Sequence, residues 1–317
     1  MHKALLLYLL CFAGILSAQD LRQKRPFHIQ YDFREQDAFY QNATELNLKR
    51  KRAASRIMGG AYLGLGLYMG TAWYAGEDLT GFHFFDDSYE WKQMDKVGHM
   101  LGGYHGSRYV TGLLKWSGVP REKAILQGSL SGFLAMSSIE VFDAFGESWG
   151  FSWYDIGANF IGSGMYAGNQ LLWNEDRVQF KMSYIRSPYA GDPEFARLFG
   201  SSYPEWFLKD YNGQTYWLSV RIHSFLPDSK LKDIYPRWLN LAVGYGAEGL
   251  EGGYHLPDES WRAREYRQLY LSLDIDLDNI QTRSGFLKRL LSVVNLIRIP
   301  LPAIQFDRNG TKVLPFR

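Results

Sequence analysis

Apolar and polar positions follow different periods in the two halves of the chain. Residues 57–173 are rich in glycine and carry long apolar runs broken by single polar residues, which is typical of packed helices. From residue 178 onward, apolar side chains occupy every second position, as at Leu269, Leu271 and Leu273. Period two is the pattern of strands. The sequence therefore predicts an α+β protein, with a glycine-rich helical bundle followed by a curved antiparallel β-sheet.

The number of strands limits how the second half can close. About six or seven alternating segments are visible, whereas a single-chain bacterial membrane barrel usually needs about eight or more. An amphipathic helix is expected over residues 286–297, between the later strands. We therefore expect a sheet packed on the helical part. A C-terminal half that belongs to a membrane β-barrel is the alternative.

Residues 1–18 have the layout of an export signal. A short basic start precedes an apolar run over residues 4–16, and small residues end it at Ala18. We expect cleavage near Ala18, with an uncleaved membrane anchor as the alternative. The single cysteine, Cys11, lies inside the apolar run, so the mature chain would have no thiol for a disulfide, for catalysis or for metal binding.

The other predicted boundaries follow changes in composition. Residues 19–56 form a polar, basic segment, residues 57–175 a helical domain and residues 176–317 a β-rich region. The net charge of +2 gives no field that would favour nucleic acid. The 10 Trp, 21 Tyr and 20 Phe favour an envelope or membrane-interface protein over an ordinary aromatic core. We expect membrane lipids or other envelope proteins as partners.

Residues 57–75 contain no charge and are just long enough to cross a bilayer. The spacing of Gly60 and Gly64, and of Gly66 and Gly70, predicts close approach by another helix. This stretch is either a membrane helix or a buried helix of the bundle. The basic residues before it would lie on the external side of an inner-membrane protein, which favours the outer membrane or its periplasmic face.

Three short polar motifs interrupt the apolar helical sequence. The members of each motif are three or four residues apart, so each motif presents two polar groups on one helix face. Three helices packed with these faces inward would bring the groups into a single polar site. The candidate residues are Asp95, Lys96 and His99 in the first motif, Glu140 and Asp143 in the second, and Asp155 and Asn159 in the third.

Two functions are open for this candidate site. In the first, the residues form a hydrogen-bonded network that holds the helices in register in a non-enzymatic envelope protein without a cofactor. In the second, His99 is a general base or metal ligand, and the carboxylates hold a divalent metal or share a proton in a hydrolase of envelope lipid head groups or glycans. Asp155 alone has a further interpretation as a helix cap, because residues 152–155 have the form of a capping box.

With these motifs, the chain resembles the YfiM-like family of predicted periplasmic or outer-membrane lipoproteins, a domain family of unknown function. It is more distantly similar to VanZ-like membrane proteins, where Gln tends to stand at the position of Asp143. The resemblance covers roughly residues 57–173 and implies an envelope location without an established reaction. It rests on Asp95-Lys96-Val97-Gly98-His99, on Glu140-Val141-Phe142-Asp143, and on Asp155-Ile156-Gly157-Ala158-Asn159 with Gly162 beyond.

Overall fold

The computed structural model describes residues 39–74, 78–252 and 264–317. The predicted export signal and the start of the polar segment lie outside the described residues. Within them, helices come first and strands follow, as the two periods of the sequence predict. The fold class is therefore α+β, with a helical bundle followed by an antiparallel sheet.

Four long helices form the bundle. They are α1 (Leu48–Ala72), α2 (Met94–Trp116), α3 (Arg121–Asp143) and α4 (Trp153–Trp173). Asn47 caps α1 and Ser152 caps α4, each through a side-chain oxygen that accepts a backbone N–H of the first turn. The Asn47 N–H also donates to the Ser117 carbonyl over 2.9 Å, so α1 and α3 begin at the same end of the bundle.

Glycine allows α2 to approach both α3 and α4 at backbone distance. A Cβ on Gly162 of α4 would overlap the carbonyl group of Met100 in α2. A Cβ on Gly132 of α3 would overlap the backbone of Ser107, also in α2. Any side chain at these two positions would force the helices apart, so these two glycines are a requirement of the packing.

Helix α1 does not use its glycines in this way. Nothing lies within 4 Å of a Cβ added at Gly60, Gly64, Gly66 or Gly70, so the predicted close approach of a second helix is wrong for the structure as described. Residues 57–71 are mostly exposed instead. Of the helices in the described ranges, only α3 is long and apolar enough to cross a membrane, a test that core helices of soluble proteins also pass.

Six antiparallel strands follow the bundle and pair in chain order, β1 to β6. Among the described residues β1 and β6 are the two ends of an open sheet, so the barrel alternative is wrong for this part of the chain. The strands are β1 (Val178–Tyr184), β2 (Gln214–Val220), β3 (Leu239–Glu248), β4 (Tyr266–Ile275), β5 (Ala303–Asp307) and β6 (Gly310–Leu314). The short helices are α5 (Ala196–Phe199), α6 (Tyr203–Lys209), α7 (Lys230–Ile234) and α8 (Gly285–Val294). The last overlaps the amphipathic helix predicted over residues 286–297, beginning one residue earlier and ending three residues earlier.

The apolar face of the sheet is covered at one end of its first three strands. Phe180 of β1, Tyr216 of β2 and Ala247 of β3 belong to one core with Leu101 and Tyr104 of α2. The rest of this face, from β3 onward, is open. Its exposed apolar side chains are Leu241, Val243, Leu269, Leu271, Leu273, Ile304, Phe306 and Val313.

The opposite face of the sheet is buried and combines paired charges with an apolar cluster that includes Trp217 and Tyr270. Lys181 Nζ lies 2.7 Å from the Asp274 carboxylate, and both side chains are 0% exposed. Ser219 Oγ donates to the same carboxylate over 2.6 Å. The guanidinium of Arg298 lies over the ring of Trp217, 3.8 Å from its centroid. Because a buried charge is tolerated only when it is paired, these residues form a matched polar interior.

Two glycines of α4 test the packing of the bundle. Gly162→Ala should lower the free energy of unfolding by about 1–3 kcal/mol, because the new methyl group overlaps the backbone of α2. Gly157→Ala is the control, since nothing lies within 4 Å of its Cβ position. We expect this change to raise stability by up to about 1 kcal/mol through the higher helix propensity of alanine. Equal melting temperatures for the two variants would contradict the packing described here.

Candidate functional site

The three predicted motifs meet at one end of the helical bundle. The first lies at the start of α2, the second at the end of α3 and the third at the start of α4. A connecting segment that ends with Trp91, Lys92 and Gln93 in left-handed backbone conformations enters α2 directly before Asp95. The helix packing therefore brings residues that are distant in sequence into one site. The most distant members of the motifs, Asp95 and Asn159, are 64 residues apart.

Lys96 lies at the centre of three carboxylates. Its Nζ is 2.8 Å from Asp95 and 3.2 Å from Asp155, and it also pairs with Asp87. Burial lowers the pKa of Lys96, but the charges of Asp95 and Asp155 outweigh burial and raise the pKa above its ordinary value. Lys96 is therefore a charged, fixed group that ties the start of α2 to α4 and to the connecting segment.

Asp87 is the member of this cluster that sequence reasoning missed. It accepts a hydrogen bond of 2.6 Å from Ser152 Oγ in addition to its contact with Lys96. Burial alone would raise the pKa of Asp87, but hydrogen bonds with Asp155, Lys96 and Ser152 lower it below its ordinary value. Asp87 lies on no helix, so helical spacing could not reveal it. The acidic pair of Asp86 and Asp87 after the aromatic residues 84–85 is the signal that was available.

His99 is held by Asn159. Its Nδ1 lies 3.0 Å from Asn159 Oδ1, and because a carbonyl oxygen only accepts, Nδ1 carries the proton and Nε2 has a free lone pair. Nε2 lies 3.6 Å from Glu140 Oε1. Burial lowers the pKa of His99 to about 4, so the ring is neutral at neutral pH. His105 lies outside this site, with its Nε2 2.7 Å from the Phe180 carbonyl oxygen.

Glu140 presents one anchored oxygen and one free oxygen. Oε2 accepts the Ser152 backbone N–H over 3.2 Å, whereas Oε1 is buried and makes no hydrogen bond within the described structure. Burial, together with the charge of Asp143, raises the pKa of Glu140 to about 8. The carboxyl group therefore favours a proton or another cation beside it.

Asp155 joins the cluster instead of capping its helix. The cap is Ser152, whose Oγ accepts the Asp155 backbone N–H over 3.1 Å, while the Asp155 carboxylate pairs with Lys96. Burial, with the nearby charge of Asp95, raises the pKa of Asp155 to about 10. Burial also raises the pKa of Asp95 to about 6, although Lys96 opposes this shift. The cluster thus has more buried acidic groups than the single ammonium of Lys96 can neutralise.

A cavity of about 160 Å³ adjoins the cluster. Asp143 lies on its wall and accepts a hydrogen bond of 2.5 Å from Tyr74, so it borders the ion cluster without pairing with Lys96. The aromatic lining residues are Trp73, Tyr74, Phe85, Trp91, Trp149 and Tyr211, and the acidic ones are Asp87, Glu90, Asp95, Glu140, Asp143 and Asp155. The combination of a neutral imidazole, unneutralised carboxyl groups and an aromatic wall suits proton transfer or the binding of a cation.

Residues 82–169 match the model of a family described as predicted periplasmic lipoprotein (DUF2279). The match includes all three motifs and Asp87 and covers well under half of the chain. Over these residues the chain is similar to envelope proteins of unknown activity, in agreement with the predicted export. The finer resemblances, to YfiM-like and VanZ-like proteins, stay predictions. No curated protein and no solved structure matches the chain.

The ion cluster should be essential for the stability of the bundle. Lys96→Met should lower the free energy of unfolding by about 3–5 kcal/mol, because it leaves three buried carboxylates without their cation. Lys123→Met, on the exposed surface of α3, is the control and should change stability by no more than about 0.5 kcal/mol. Urea unfolding at neutral pH measures both values. Similar midpoints for the two variants would show that Lys96 does not hold the cluster together.

Proposed function

We propose that this protein is a non-enzymatic, lipid-associated protein of the bacterial cell envelope, at the outer membrane or its periplasmic face. In this proposal the outer surfaces of the bundle and of the sheet rest against lipid, and the polar cluster holds the helices in register. The observation that carries the proposal is the reversed distribution of polarity, with charged groups buried inside and apolar side chains outside.

The outer face of the bundle supplies the first support. Leu126, Leu130 and Leu134 of α3 follow one another at four-residue intervals, so they share one helix face, and each is more than half exposed. Residues 57–71 of α1 carry no charge and are also mostly exposed. Apolar surface of this extent is costly in water and favours a lipid or protein partner.

The two ends of this apolar surface differ in a way that suits a membrane. Lys49, Lys51 and Arg52 are exposed at the start of α1, where they can attract anionic lipid phosphates. Phe84 and Trp153 are exposed at the other end, 62% and 65%, and their rings stack. Aromatic side chains favour the boundary between hydrocarbon and water. A lipid bilayer therefore suits the basic end and the aromatic end of the bundle's outer surface as well as the apolar part between them.

The sheet supplies independent support. On β4, Leu269, Leu271 and Leu273 are exposed while the residues between them are buried. Strands that contact lipid alternate in this sense, with apolar side chains outward and polar ones inward. A single protein partner would have to cover both the bundle and the sheet, whereas a lipid phase contacts both at once. We favour the outer membrane because the basic start of α1 would otherwise lie on the external side of an inner-membrane protein.

Vesicle flotation tests the lipid contact. The purified protein should float with vesicles of phosphatidylethanolamine and phosphatidylglycerol after detergent removal. Leu126→Gln, Leu130→Gln and Leu134→Gln combined should lower the bound fraction at least about 10-fold, since each change removes an apolar contact with lipid. Ser131→Gln, at an exposed polar position of the same helix, is the control. Equal flotation of all three proteins would contradict lipid contact through α3.

Fractionation of native membranes tests the location. We expect the protein to sediment with outer-membrane markers in a density gradient. Recovery with inner-membrane markers, or in the soluble fraction after gentle lysis, would contradict the proposal.

A hydrolase of envelope lipid head groups or glycans is the second candidate. One observation favours it, namely that His99 and Glu140 both line the cavity of about 160 Å³. A neutral imidazole in this position can accept a proton from water, and a protonated carboxyl group can donate one to a leaving group.

Product analysis separates the two candidates. Mass spectrometry of envelope lipids and glycan fragments incubated with the protein should detect no released product if the protein is non-enzymatic. If a product forms, His99→Ala and Glu140→Gln should abolish it with little loss of folding. In the non-enzymatic case His99→Ala should instead lower stability by roughly 1–3 kcal/mol, because Asn159 loses its buried partner.

A further inference from the structure

Two sets of ligand-type side chains lie side by side in the polar cluster and share Asp155. In the first set, Asp87, Asp95 and Asp155 offer oxygen atoms that all lie within 4.8 Å of one another. The ammonium group of Lys96 pairs with all three, so this set has a cation of its own. The first set shows that these carboxylates are arranged around positive charge.

The second set consists of His99, Glu140 and Asp155. Each offers one ligand atom, and the three atoms again lie within 4.8 Å of one another. Within the described ranges, the ion-pair contact of Glu140 is with the ring of His99, whose Nε2 lies 3.6 Å from Glu140 Oε1. Lys96 contacts this set through Asp155, and no lysine or arginine of the described residues forms an ion pair with Glu140.

The free atoms of this second set are fixed in direction. The Glu140 side chain is 1% exposed, and its Oε1 makes no hydrogen bond within the described structure while Oε2 is anchored by Ser152. The His99 ring is anchored through Nδ1 by Asn159, which directs Nε2 towards Glu140 Oε1. Metal ligands are commonly oriented in this way, by a hydrogen bond to the atom that does not bind the ion.

We propose that His99, Glu140 and Asp155 bind one divalent first-row metal ion, such as Zn²⁺ or Mn²⁺. One imidazole nitrogen and two carboxylate oxygens suit these ions, whereas Mg²⁺ favours oxygen ligands alone. A doubly charged ion would balance the carboxylates that Lys96 leaves unneutralised. The ligands line the cavity, so the remaining coordination positions would face a space large enough for water. This inference goes beyond the proposed function and does not depend on contact with lipid.

Metal titration of the full mature chain in detergent tests the inference. Bound metal is first removed with a chelator, and isothermal titration calorimetry with Zn²⁺ or Mn²⁺ should then show one saturable site. The electron paramagnetic resonance spectrum of Mn²⁺ should change on binding. Glu140→Gln keeps the shape of the side chain and removes its charge, and we expect a loss in affinity of at least about 100-fold. Asn159→Ala, which removes only the anchor of His99, should weaken binding by about 10–100-fold.

Glu122→Gln is the matched control for this experiment. Glu122 is exposed at the other end of the same helix and does not line the cavity, so the same chemical change there should leave metal affinity within a few-fold of the parent. His99→Gln provides a second ligand variant if Glu140→Gln does not fold, as judged by circular dichroism. The inference is overturned if neither ion binds saturably to the parent protein, or if the ligand variants bind as well as Glu122→Gln.

Discussion

A buried ammonium group, that of Lys96, sets the arrangement of the helical bundle. A charge removed from water costs several kcal/mol unless it is paired, and Lys96 finds its partners on three different parts of the chain. The start of α2, the start of α4 and the segment before α2 must therefore meet. The small residues between α2 and its neighbours make the meeting possible, since Gly162 and Gly132 let the helix backbones touch.

Buried charges must also be paired in the sheet, and this pairing leaves apolar side chains on the outer side. Lys181 and Asp274 pair at the polar face, which is shielded from water together with Arg298. Beyond the end of β3 that packs on the bundle, the apolar residues of β3 to β6 are left exposed on the opposite face. Buried charged groups are thus paired inside both the bundle and the sheet, whereas apolar side chains on both outer surfaces face the surroundings. A hydrocarbon phase at the outer surface removes this mismatch, which is the physical basis of the proposed envelope role.

The sequence predicted the fold class and the meeting of the three motifs, because both follow from local periodicity. Residues three or four positions apart share a helix face, so Lys96, His99 and Asn159 could be assigned to one interior. Other features depend on tertiary packing that periodicity does not encode. Alternation of apolar and polar residues shows that a strand has an apolar face, but not whether a helix covers that face. Asp87 joins the cluster from a segment that has neither helical nor strand periodicity. The spacing of the glycines in α1 likewise predicted a contact that the described bundle does not make.

The most direct test of the central claim, that the apolar outer face of the sheet contacts lipid, is a single-cysteine scan along β4. The only native cysteine, Cys11, lies in the predicted signal, so introduced thiols can be labelled selectively in the mature chain. In vesicles, fluorophores attached after Leu269→Cys, Leu271→Cys and Leu273→Cys should be quenched by a lipid-soluble quencher. Fluorophores after Gln268→Cys and Ser272→Cys, on the buried face, should not be quenched by it. The claim would be contradicted if quenching did not alternate between successive residues of β4. It would also be contradicted if the cysteines at 269, 271 and 273 reacted with a water-soluble thiol reagent as fast as a cysteine in an exposed loop.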